Sequence, residues 1–168
     1  MLSRKIRQLI PFSLFSHSAG TWTPTVASNV WYNRRTAADA AATTLIPIPT
    51  LTPQTDQHVG FKLQSLEVHF RIVTAAIDAM EAHIYKGVRA ADGSLLTVSE
   101  VTSTYDTGHD TAPERIDADE HKMTLSIAEA NQFWLGEDEF LFAEIVWDGS
   151  ATGVIDEFQA VANGIIRL

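Results

Sequence analysis

The chain has 168 residues, 45% of them hydrophobic and 20% charged, with a formal net charge of −9 and no cysteine. That length suits one domain with room for a real core. The missing cysteines exclude a disulfide framework, thiolate chemistry and a zinc ribbon, and no apolar run is long enough for a spanning helix.

The charge is unevenly placed. Arg4, Lys5, Arg7, Arg34 and Arg35 precede the first acid, Asp39, so the first 38 residues carry +5; the remainder, seven basic against 21 acidic residues, carries −14. Such an acidic body argues against nucleic-acid binding by the folded part, since phosphate must be met by Lys and Arg. Residues 1–20, MLSRKIRQLIPFSLFSHSAG, read as a basic, partly apolar arm ahead of a single domain at 21–168. The outline approaches that of a secretory signal, but its apolar part is short and broken by Pro11. Arg4, Lys5, Arg7, Phe12 and Phe15 are the arm's candidate contact residues, for a neighbouring subunit, a lipid layer or nucleic acid. The competing reading packs the arm back on its own domain.

Residues 21–35 alternate loosely and predict one edge strand, because Pro24 forbids a full central ladder. Residues 36–42 read as a loop with a turn. The run at 43–52, TTLIPIPTLT, is β-branched and apolar, but Pro47, Pro49 and Pro53 confine it to an edge strand or an extended wrapping segment. Residues 60–88 carry the clearest pattern: Leu66, Val68, Phe70 and Ile72 share one face of a strand, and Glu67, His69 and Arg71 the other. A second strand puts Ala82, Ile84 and Val88 opposite Glu81, His83 and Tyr85. Joined by a turn centred on Ala76, the two predict a hairpin in which Val68 faces Ile84, Phe70 faces Ala82 and Arg71 faces Glu81.

Asp92 and Gly93 read as a tight-turn pair, 94–104 as a β-rich connection or strand, and 105–119, with Gly108 and Pro113, as an exposed loop. Residues 120–128 place His121, Met123, Leu125 and Ile127 on one face of another strand. FLFAEIVWD at 140–148 predicts a central strand ended by a turn at Asp148 and Gly149, and 153–168 a last strand or a pair broken near Gly164. The sum is an all-β, antiparallel β-sandwich, best fitted by an eight-stranded jelly roll with an extended amino-terminal arm.

Candidate chemistry is sparse. The predicted hairpin sets His69 and His83 opposite one another, about 5 Å apart at Cβ; two imidazoles so placed could share a metal, or simply belong to a polar face or a subunit contact. His109 with Asp106 and Asp110, and the run Glu137, Asp138, Glu139, suggest oxygen-rich cation sites, but neither has the spacing of an EF-hand loop. There is no His-x-His pair, no Gly-x-Ser-x-Gly and no Gly-rich phosphate loop, so the expectation is no enzyme, no cofactor and no small-molecule substrate. Trp22, Trp31, Trp134 and Trp147 could line a sugar-binding face or be buried; Trp147 reads as core and Trp134 as the best candidate for exposure.

The strand pattern of LEVHFRIVTAAIDAMEAHIY at 66–85, HKMTLSI at 121–127 and EFLFAEIVWDGSATGVIDEFQAVANGII at 139–166 resembles the single jelly-roll modules of bacteriophage and archaeal virus virions. That resemblance implies a capsid, cementing or spike subunit, located in the virion, acting through homo-oligomeric packing and contacts with other virion proteins. The alternative, from a different class, is a carbohydrate-binding or adhesion module.

Overall fold

The computed structural model describes residues 3–37, 40–49, 60–90, 96–136 and 138–167. Strand β6 (Phe61–Val73) shows how alternation becomes architecture: Leu66, Val68, Phe70 and Ile72 are buried, while Glu67, His69 and Arg71 line the outer face. Successive side chains of a strand point to opposite sides, so one side is committed to the core. The same commitment made by β7 (Ala79–Val88), β10 (Glu120–Ser126) and β11 (Glu139–Asp148) yields two apolar faces that cover each other.

The larger sheet runs β3 (Trp22–Ala27), β4 (Val30–Arg35), β12 (Val154–Arg167), β6, β10 and β9 (Thr104–Tyr105), and β1 (Ser3–Pro11) joins it along β12. The smaller runs β2 (Ser16–His17), β5 (Ala41–Ile48), β11, β7 and β8 (Thr97–Val101). Every pairing is antiparallel. At the centre β4-β12-β6-β10 lies over β5-β11-β7-β8, the eight-stranded jelly roll, with β1, β2, β3 and β9 added at its margins. Among those eight strands every link except β7 to β8 crosses from one sheet to the other.

That crossing corrects the predicted hairpin. Strands β6 and β7 belong to different sheets, with β6 paired to β10 and β12 and β7 to β11 and β8. Their apolar faces do meet, but across the sandwich rather than edge to edge. Thr74, with φ +80°, and the buried Ile77 turn the chain between layers. His69 therefore sits beside Lys122 and Gln159, and His83 beside Glu144, so the two histidines do not form a pair.

The amino-terminal segment is also corrected. Far from an arm outside the sandwich, β1 pairs with β12 at every position from Ser3 to Pro11, Ile10 is fully buried, and Phe15 belongs to the core. The single edge strand expected at 21–35 is a hairpin, β3 to β4, whose turn residues Ser28 and Asn29 both have positive φ, as a two-residue connection matching strand twist requires. Pro24 is accommodated because β3 is the sheet edge. The loop at 105–119 is not simply exposed: it folds a helix, α1 (Ala112–Ile116), and buries His109 and Arg115. Strand β12 continues through Gly164 with a register shift there, where an added Cβ would come 2.4 Å from the Phe61 ring.

The expected central strand is β11, bonded on both sides, and β5 meets only the two-residue β2 on its outer edge. The Asp92-Gly93 turn and Pro53 lie outside the described residues. Among the described residues no helix is long and apolar enough to cross a membrane.

Candidate functional site

Between β1 and β3 the chain passes from the larger sheet to the smaller and back. After Pro11 a 3-10 turn (Phe12–Leu14) leads through Phe15 to β2, which pairs with β5, and Gly20, with φ +82°, returns the chain to β3. A Cβ at Gly20 would lie 2.8 Å from the Arg35 Nε, so glycine is required by both conformation and space. The excursion leaves a groove of about 580 Å³ against the β3–β4 hairpin.

Aromatic rings build its walls. The His17 ring stacks on Trp22 at 4.0 Å between centroids, and the Trp22 Nε1 donates to the Ala19 carbonyl at 2.9 Å, which fixes the indole. Phe12 meets Trp31 edge-on at 6.1 Å, and Trp31 is 65% exposed. Ser13, His17 and Asn33 supply polar groups, and among the described residues no Lys, Arg, Asp or Glu lines the groove.

Behind the groove lies a buried polar network. His17 Nε2 is 2.7 Å from Glu157 Oε2, and Asn33 Nδ2 is 3.3 Å from the same ring nitrogen. Thr44 Oγ1 donates to Glu157 Oε1 at 2.5 Å and accepts from Trp147 Nε1 at 2.9 Å. Glu157 is 1% exposed, and that burial pushes its carboxyl pKa up, against the opposing effect of its hydrogen bond with His17. Burial likewise lowers the pKa of the Arg35 guanidinium, opposed by Asp148 and Glu157. Its terminal nitrogen donates to the Ala40 carbonyl, and its buried Nε has no hydrogen-bond partner among the described residues.

Trp31 also walls a second cavity of about 540 Å³, where it stands with Val30, Phe158, His69, Lys122 and Gln159. His69 has its pKa lowered by burial, and Lys122 is held 3.3 Å from Glu67.

Of the contact residues expected from sequence, only Phe12 and Phe15 come together here. Arg4 and Lys5 are exposed on β1, and Arg7 lies 3.5 Å from Glu67. His83 occupies the outer face of the smaller sheet, where its hydrogen bond to Glu100 raises its pKa. Trp134 is only half-buried and is capped by the Arg167 guanidinium at 3.9 Å and the Lys62 ammonium at 5.4 Å. Trp147 is fully buried.

The suggested cation sites have other occupations. Asp106 pairs with His109 at 3.1 Å and accepts the Thr124 N–H at 2.8 Å; Glu139 accepts from the Gly136 N–H and from Lys86. Glu137 lies outside the described residues. Among the described residues no group of three or more His, Asp or Glu is placed to hold a metal.

Sequence reasoning missed His17, Asn33 and Glu157. The available signal was the pair Asp156-Glu157 inside an otherwise apolar strand. Asp156 opposes the outward Arg71 and Glu157 the inward Phe70, so strand alternation alone turns one acid outward and the other inward, ahead of the register shift that follows Glu157.

No protein-family model matches the chain, and no curated protein does. Among solved structures it resembles the CBM22-1 xylan-binding domain of Paenibacillus barcinonensis Xyn10C, at 9% identity and TM-score 0.43 over 93% of this chain and 92% of that one. It resembles the low-affinity xylan-binding module CBM86 of Roseburia intestinalis at 9% identity and TM-score 0.33, over 94% of each. It also resembles the CBM22-1–GH10 modules of Clostridium thermocellum xylanase 10B, complexed with xylohexaose, at 7% identity and TM-score 0.43. There it covers 95% of this chain but only 27% of that one. The expectation of a structural virion protein is thereby corrected: these three solved structures are or contain carbohydrate-binding modules, not capsid subunits, in keeping with the alternative.

Proposed function

We propose that this domain is a carbohydrate-binding module whose site is the aromatic groove between β1 and the β3–β4 hairpin. The observation that supports it most is an exposed Trp31 facing a groove that holds Trp22, Phe12, His17 and Asn33 and no charged side chain. Pyranose rings are amphipathic: their C–H faces pack on aromatic rings and their hydroxyls take a few placed hydrogen bonds. A groove of about 580 Å³ is within the usual range for small-ligand sites. The uncharged lining fits a neutral glycan.

The reading is one of binding without cleavage. A glycosidase needs two carboxyl groups flanking the scissile bond. Among the described residues the groove lining has none, and Glu157 lies behind His17, buried.

Titration calorimetry and affinity electrophoresis with neutral oligo- and polysaccharides, xylohexaose and xylan first, test the proposal. Expected is saturable binding that Trp31→Ala weakens about tenfold or more while the circular dichroism spectrum stays unchanged. A loss of 1.4 kcal/mol corresponds to that factor. Absence of binding across the panel, or binding indifferent to Trp31→Ala, overturns it.

A further inference from the structure

We propose that the glycan crosses Trp31 into the second cavity and that this half of the site takes an anionic substituent, so that the ligand is a neutral chain carrying a uronic acid carboxylate. This rests on the groove being the binding site.

Among the described residues Trp31 alone walls both volumes, about 580 Å³ on one side and about 540 Å³ on the other, and it is exposed. A chain stacked on the indole can therefore extend to either side. The second cavity lies against the outer face of the larger sheet, over Gln159, His69 and Lys122, which occupy neighbouring positions on β12, β6 and β10. Val30 and Phe158 add apolar wall, and the volume has room for a further sugar-sized group.

The two halves differ in charge. The groove has no charged lining among the described residues, whereas Lys122 and Glu120 line the second cavity. Around it, two carboxylates each serve two cations. Glu67 lies 3.3 Å from Lys122 and 3.5 Å from Arg7, and Asp156 accepts from both Arg34 and Arg71. Arg71 also lies over the Phe158 ring, at 5.6 Å, and so stands at the cavity's edge. The third acid, Glu120, is exposed, 3.7 Å from Arg71. Among the described residues that leaves Arg7, Arg34, Arg71 and Lys122 against Glu67, Glu120 and Asp156, an excess of one positive charge beside Trp31 in a chain whose net charge is −9. His69, whose pKa burial lowers, adds no charge at neutral pH.

Lys122 is the cation placed to use that excess. An ammonium has three N–H donors, and with its side chain 61% exposed Lys122 can keep Glu67 and still donate to a ligand carboxylate. The paired arginines prevent Glu67 and Asp156 from repelling the incoming anion at full strength. A neutral chain on Trp31 and a carboxylate on Lys122 together describe an acidic glycan.

Titration calorimetry on the full chain compares xylohexaose with a xylo-oligosaccharide of the same length that bears one glucuronate branch. Expected is an advantage of about threefold for the acidic ligand at low salt, within the range of an exposed ion pair, which fades at about 1 M sodium chloride as the charges are screened. Lys122→Gln should remove that advantage and Lys122→Arg should keep it, while Glu120→Gln, which removes the exposed acid of the lining, should enlarge it. Trp31→Ala should weaken both ligands. Equal affinities for the two ligands, or an advantage indifferent to Lys122→Gln, overturn the proposal. A gain from a sulfated xylo-oligosaccharide without one from the glucuronate overturns the carboxylate assignment. If neither ligand binds, the reading of the groove fails and takes this one with it; if xylohexaose binds through Trp31 and the branch adds nothing, the groove stands and the anionic half alone is overturned.

Discussion

Asp156 and Glu157 are neighbours in the chain, and both are withdrawn from solvent, by different routes. Asp156, on the outer face, lies under two guanidinium groups: Arg34 bonds both its oxygens at 2.7 and 2.8 Å, and Arg71 reaches Oδ2 at 2.6 Å. The arginines cover Tyr32 as well, at 5.3 and 5.8 Å from its ring centre, so one acid ties β4, β12 and β6 together sideways. Asp156→Ala should cost about 3 kcal/mol in urea denaturation, the low end for a broken buried pair because the arginines stay partly solvated. Glu157 lacks such a partner, and burial holds its folded pKa above the ordinary carboxylate value. The unfolded chain loses that proton first, so the stabilising preference for the protonated acid is complete below about pH 4.5 and fades as pH rises through the folded pKa. Glu157→Gln should therefore gain on the wild type between pH 4.5 and pH 8, read as a rising difference in urea midpoints; a constant difference would show that the acid does not titrate abnormally. His69 and His83 act in opposite directions. Burial lowers the His69 pKa, so its contribution is present above the ordinary histidine value of 6.5 and is lost as pH falls; Glu100 raises that of His83, whose contribution is present below 6.5 and lost as pH rises. Set in separate sheets, they do not repel each other on protonation. Phe70, 1% exposed, stacks on His121 at 4.6 Å and meets Trp147 edge-on at 5.2 Å. Phe70→Ala should cost about 3–5 kcal/mol by the cavity it leaves, and an unchanged unfolding midpoint would sink its place between the sheets.

At the scale of the element, β1 is structural. It takes the flank of β12 that β4 leaves open beyond Glu157, and Ile10 alone contributes about 2 kcal/mol by full burial. Deleting residues 1–11 should melt the domain or lower its midpoint sharply in calorimetry. A truncated chain as stable as the full one would instead make the segment dispensable. Of the basic residues ahead of Asp39, Arg7 meets Glu67, Arg34 on β4 meets Asp156 and Arg35 on β4 is buried, while Arg4 and Lys5 are exposed on β1. Gly164 serves the pairing of β12 with β6, because β12 can pass Phe61 only without a side chain there. Gly164→Ala should cost about 1–3 kcal/mol by overpacking, read by the same melting experiment.

The whole molecule is held by four strands that are bonded on both sides over much of their length: β12 and β6 in the larger sheet, β11 and β7 in the smaller. Their inner faces share one core that includes Phe61, Phe70, Ile84 and Trp147. Amides of these strands should exchange most slowly with deuterium, at the global unfolding free energy, while β3 and β8 at the edges exchange by local opening. Fast exchange in β12 would contradict its central place. The groove lies at the margin of this rigid unit, with His17 and Glu157 140 positions apart in sequence, so it forms only when the sandwich has closed.

Which residues face inward was already written in the chain. The period of two in β6, β10 and β11 is a local property, and it determined that Phe70, Met123 and Trp147 are core, just as Pro24 and Pro47 marked edge segments. Which strand lies beside which was decided by tertiary structure alone. Alternation is equally satisfied by a partner in the same sheet or by one across the core, and in a jelly roll most consecutive strands take the second option; hence β6 and β7 separate. The same reason hid the groove. Trp22 and Trp31 were visible as aromatic candidates, but the crossing segment that brings His17 to the inward Glu157 follows from how the two sheets close. No spacing in the sequence encodes that closure.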